Sequence, residues 1–190
     1  MIPSIWEILV AVSIFVPVAL LLYFFYREKK LNPNLIILII VGVILIIATN
    51  LIHGLEILEI SVGGSTEIYS DALGITDWIT FISNYEILQP DLTVHARTQP
   101  PGAVLTFYFL NLIFGSPVLV AIALAAVSTI FSVYFINGIF KRLYDEYDSK
   151  YTVVLFLVLP AVQVYYLANI YSVVSTLAFG VLYFYLHPNK

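Results

Sequence analysis

The chain has 190 residues, of which 61 % are hydrophobic and 11 % charged, with a mean hydropathy of +0.99 and a formal net charge of -4. That composition excludes an ordinary soluble domain, and the acidic balance excludes a nucleic-acid binder, which needs a basic face. With no cysteine, disulfides, thiol catalysis and thiolate metal centres are excluded, and with only His53, His95 and His187, well apart in sequence, a histidine metal centre is not expected.

Apolar runs near 20 residues predict an all-α, polytopic membrane protein in one domain, 1–190, with about five to six spans. The first span is expected at about 5–26. It is followed by Arg27-Glu28-Lys29-Lys30, a flank suited to a retained span rather than a cleaved signal peptide. The second span is expected at about 35–52. The short basic loop 27–34 between them sets the orientation, cytoplasmic by the positive-inside rule, so the loop at 54–99 faces outward.

That outer loop carries Glu56, Glu59, Glu67, Asp71, Asp77, Glu86 and Asp91 against the single base Arg97. Exposed acids keep a loop soluble, and Glu56, Glu59, Glu86 and Asp91 need no other explanation. From Ser70 to Leu88, Ile75, Trp78, Ile79, Ile82 and Tyr85 recur at helical spacing opposite Thr76, Asp77, Thr80, Ser83 and Asn84. The pattern predicts one amphipathic helix lying flat on the outer membrane surface, with Trp78 and Tyr85 at headgroup depth and Pro90 as its stop.

Within that loop Glu67 and Asp71 lie four residues apart beside Tyr69, where the helix should begin. Asp71 is either a first-turn acid favoured by the helix dipole or a carboxylate held at the lipid–water boundary as a general base. Arg97 either snorkels as a membrane anchor or clamps a phosphate, and His95 beside it is by itself a loop hydrogen-bonder.

Pro100 and Pro101 open the next span, 100–114, with Thr98 or Gln99 expected as its N-cap. Phe114-Gly115-Ser116-Pro117 breaks the chain before a span at about 118–140. The loop from Lys141 to Lys150 balances its charges, and alternation places it outside. The apolar stretch that follows, interrupted by Pro160, Gln163 and Asn169, is either two short helices meeting inside the membrane or two tilted spans, 151–168 and 170–186. Asn111, Asn137, Gln163 and Asn169 are expected to hydrogen-bond between helices.

The order of these parts, an outer loop with an early acid, a surface helix and a span opening on Pro-Pro-Gly, resembles the N-terminal part of the integral-membrane glycosyltransferases of the GT-C class. That class includes the protein O-mannosyltransferases and the lipid A aminoarabinose transferases. The residues that carry the resemblance are Tyr69-Ser70-Asp71-Ala72 and His95-Ala96-Arg97-Thr98-Gln99-Pro100-Pro101-Gly102, over roughly residues 54–150. The family pattern has His-Pro-Pro-Gly where this chain has Gln99, and its members have many more spans.

The resemblance implies a prokaryotic cell-membrane enzyme that transfers sugar from a polyprenyl-phosphate donor. It implies Asp71 as catalytic base, with Glu67 as supporting acid or metal-facing group, and Arg97, Gln99, His95 and Tyr69 as substrate contacts. Membrane lipid, the polyprenyl-phosphate sugar and a second membrane chain are the expected partners. A divalent metal is left open, with no cofactor motif to place it. On this reading the chain is a truncated product or is completed by that second chain. The competing readings are a non-catalytic membrane scaffold and, disfavoured because no ionisable residue lies deep in a span, a transporter.

Overall fold

The computed structural model describes residues 34–52, 62–65, 67–167 and 169–187, with isolated positions at Val16, Leu20 and Glu59. The expected span 5–26 and most of loop 27–34 lie outside the described residues. The described residues form helices and no strands.

Helix α1, Leu35–Leu51, starts where Asn34 places its side-chain oxygen 3.0 Å from the Ile36 N–H and caps the first turn. The helix covers the apolar run at 35–52. The surface helix expected over 70–88 is instead three short ones: α2 (Ile68–Leu73), α3 (Trp78–Ser83) and α4 (Tyr85–Leu88). Local capping defeats the periodicity. Gly74 closes α2 by donating to Ala72 and Asp71 carbonyls, and Asp77 turns its carboxylate onto the Ile79 and Thr80 amides to begin α3 anew. Pro90 sits in a 3-10 turn, Gln89–Asp91, and not at a helix end.

The Asp77 carboxyl is held below the usual carboxylate range, chiefly by the Thr80 hydroxyl and amide and also by the Ile79 amide. A depressed pKa means that this cap is complete above the ordinary Asp range and is lost as the pH falls through the lowered value. Amide protection factors at Ile79 and Thr80 should therefore drop only in acid, and an Asp77→Ala variant should show the lower protection at every pH.

A one-turn helix, α5 (Val94–Arg97), leads to α6, Pro101–Phe114. The N-cap of α6 is Pro100 rather than Thr98 or Gln99, because a residue preceding a proline is pushed out of the helical region. Thr98 turns its hydroxyl back to the His95 carbonyl instead. Gly115, at φ 63°, ends α6, a left-handed conformation that glycine adopts without penalty.

Pro117 then opens α7, Pro117–Leu143, whose 27 residues rise about 40 Å. Among the described residues α7 is the one helix long and apolar enough to cross a membrane by length and composition. The remaining apolar helices α1, α6 and α10 (Tyr171–Leu186) are shorter. The expected loop from Lys141 to Lys150 shrinks to Tyr144 and Asp145, since Asp145 caps a new helix, α8 (Glu146–Val158). The expected run 151–168 is likewise not one helix. Pro160 cannot continue α8, and a bend at Leu159 leads into the short α9, Pro160–Tyr165.

Helix α7 is the organising element, packing against α10, α8, α1 and α6. Its face toward α10 is built from hydroxyls and a glycine. Ser128 donates to Ser172 at 3.1 Å, and Ser132 bonds Tyr166 at 3.0 Å and Thr176 at 2.8 Å. At Gly138 a Cβ would collide with Cε2 of Tyr183, a ring already packed against Tyr134, Phe135 and His187. Gly138→Ala should therefore cost about 1–3 kcal/mol by overpacking, more than Gly180→Ala, where the nearest ring atom is 3.1 Å away. Reversible unfolding in mixed micelles would rank the two.

Three of the four interior amides bridge helices. Asn111 accepts from Tyr69, Asn137 from Ser149, and Gln163 from Thr49. Asn169 differs, capping the Tyr171 amide locally at 3.1 Å.

Candidate functional site

The cap formed by α2 to α5 sits on α6, and its first helix carries the two acids of interest. Glu67 is the N-cap residue of α2, with extended backbone, so it does not share a helical face with Asp71. Its carboxylate lies 3.8 Å from Nε2 of His95, both side chains being substantially exposed, a separation and exposure that make the pair weak.

Asp71 lies in the first turn of α2 and is half-buried. Its two oxygens accept from the Thr93 amide at 3.2 and 3.1 Å, and Oδ2 also accepts from the Thr93 hydroxyl at 2.5 Å. Thr93 is in turn the N-cap of α5, its hydroxyl oxygen accepting from the Ala96 amide at 3.4 Å.

Two more side chains hold the segment that follows. The Tyr85 hydroxyl donates to the Gln99 carbonyl at 2.5 Å, and Gln89 Nε2 donates to the Arg97 carbonyl at 2.9 Å. Burial raises the Tyr85 pKa, and the negative charge of Asp71 adds to the rise, so Tyr85 stays a donor. Ala96, fully buried, anchors α5 from below.

His95 and Arg97 flank that anchor. Two residues apart on a helical turn, they do not face each other. His95 turns toward Glu67, while the exposed Arg97 guanidinium pairs with no described residue. Gln99 is half-buried and contributes its backbone carbonyl to the Tyr85 bond.

Tyr69 is placed differently from its expected role at the substrate. Only 3 % exposed, it donates its hydroxyl to Asn111 at 2.5 Å and meets the Phe107 ring edge-on, so it joins α2 to α6. The same burial raises its pKa. Asp71, two residues on, points away from that packed side, toward Thr93.

The fold thus brings Glu67, Asp71 and His95 to one cap and leaves Arg97 exposed at the end of α5, with Tyr69 withdrawn into the core. Thr93, Gln89 and Asn111 are the partners that sequence reasoning left without a role at this site. The legible signal for Thr93 was its position just before a turn of helix. Among the described residues no three His, Cys, Asp or Glu side chains converge as a metal site, and Glu67 with His95 offers two donors.

These features define an all-helical protein with a polar cap seated on an apolar helix bundle. No family profile, curated protein or solved structure matches the chain.

Proposed function

We propose that the chain is a polytopic membrane protein and the front portion of a glycosyltransferase that takes sugar from a polyprenyl-phosphate donor at the outer membrane surface. The observation that carries the reading is the half-buried Asp71 carboxylate, fixed by Thr93 beside the segment that opens α6. The acceptor hydroxyl oxygen attacks the anomeric carbon as Asp71 takes its proton. The new carbon–oxygen bond forms as the bond to the phosphate oxygen breaks, and the polyprenyl phosphate leaves with the electron pair.

Arg97 supports the same reading, being an exposed cation, with no ion pair among the described residues, where a leaving phosphate needs one. Gln99 and His95 complete the donor contacts, and Glu67 supports His95. Further chain, or a second membrane subunit, supplies the rest of the donor site.

The membrane setting is supported by the amount of apolar surface left outside. Ile36, Ile37, Ile40, Val41 and Ile44 of α1, Leu112 and Ile113 of α6, and Leu177 and Val181 of α10 are all exposed, an arrangement costly in water and natural in lipid. On this reading α1, α6, α7, the bent pair α8–α9 and α10 are spans, the short ones crossing where the bilayer thins. The cap faces outward in a prokaryotic cell membrane. Trp78, Ile79, Ile82 and Ile87, all exposed, rest at the headgroup boundary.

One observation favours a second reading, a non-catalytic scaffold: among the described residues the Asp71 carboxylate accepts hydrogen bonds from Thr93 alone, as a purely structural clamp would require. Sugar transfer by Asp71→Asn in membranes containing the chain separates the two.

A further inference from the structure

Resting on the reading of Asp71 as the base, we propose that Thr93 is a positioning residue that selects which Asp71 oxygen takes the proton. The asymmetry of the contacts carries the argument. Among the described residues Oδ2 accepts two donors, the Thr93 amide at 3.1 Å and its hydroxyl at 2.5 Å, whereas Oδ1 accepts only the other branch of the amide bond at 3.2 Å.

The hydroxyl has a place in both directions: its oxygen accepts from the Ala96 amide at 3.4 Å, and its single proton goes to Oδ2. Oδ2 is thereby saturated and Oδ1 keeps the open lone pair. Ala96 is fully buried, and the carbonyls of Arg97 and Gln99 are tied to Gln89 and Tyr85. The Thr93 donors are therefore fixed relative to the rest of the cap, and the carboxylate is fixed with them. A base that must meet a hydroxyl over a lipid-borne sugar gains from such a fixed direction, because small misplacements cost about 100-fold in rate.

The test compares Thr93→Val, which keeps the shape and deletes the hydroxyl, with Thr93→Ser, which restores it. The probes are radiolabelled polyprenyl-phosphate glucose, mannose and arabinose, presented to membranes containing the whole chain and to matched membranes without it. Per folded protein, Thr93→Val should lower kcat by about 10- to 100-fold with the donor KM unchanged, and Thr93→Ser should recover most of the rate. Wild-type kcat in Thr93→Val, or a Thr93→Ser variant as slow as Thr93→Val, would overturn the proposal. Asp71→Asn is run alongside. If it consumes donor normally, or if the wild-type membranes consume none, the reading of Asp71 as base falls and this proposal with it. If Asp71→Asn is inactive and Thr93→Val is not, only the role of Thr93 falls.

Discussion

Asp71→Asn is expected to lower sugar transfer by about 10²- to 10⁴-fold, the usual range for removing a positioned general base. The cap should survive the change. Asparagine keeps one carbonyl oxygen to accept from Thr93, so the cost is about one charge-assisted hydrogen bond, roughly 1.5–3 kcal/mol. The packing of α2 on α6 through Tyr69, Phe107 and Asn111 is untouched. Folded yield and helical content should match the wild type, with donor binding retained through Arg97. Transfer at the wild-type rate by the folded variant would eliminate the catalytic reading. Absence of transfer in both chains, with Asp71→Asn merely loosening α5, would leave the scaffold.

Gln163→Leu is expected to be the most destabilising change in the bundle. Gln163 is 1 % exposed, donates to the Leu157 carbonyl and accepts from the Thr49 hydroxyl at 3.0 Å. It repairs the damage done by Pro160, which ends α8 and separates the Leu157 carbonyl from its ordinary helical partner. Leucine has a similar volume but leaves both the carbonyl and the hydroxyl unpaired, at about 2–4 kcal/mol. Asn50, which donates to the Gln163 backbone carbonyl at 2.7 Å, does not compensate, since that bond is independent of the side chain. Unfolding in mixed micelles should show the loss, and a change below about 0.5 kcal/mol would mean that water or lipid satisfies these groups.

How far the sequence was legible varies from element to element. The helix over 35–51, the proline-opened α6 and the break at Gly115 are local events, each decided by a cap, a proline or a glycine within a few residues, and each was readable. The single surface helix was not, because an apolar period says which side of a segment is buried but not whether Asp77 will spend its carboxylate capping a new turn. Asp71 could be singled out as an acid at a helix start, yet its partner lies 22 residues away, and Tyr69, expected as a substrate contact, is covered by α6.

The sequence by itself determined that the protein is helical, strongly apolar and acidic on one loop, and where prolines and glycines interrupt its helices. These are properties of composition and of neighbouring residues. Only the tertiary structure decided that Thr93 meets the Asp71 carboxylate, that Gln163 closes the Pro160 break, and that hydroxyls join α7 to α10. A hydrogen bond depends on distance and direction to a few tenths of an ångström, and between distant residues those are set by how the helices pack.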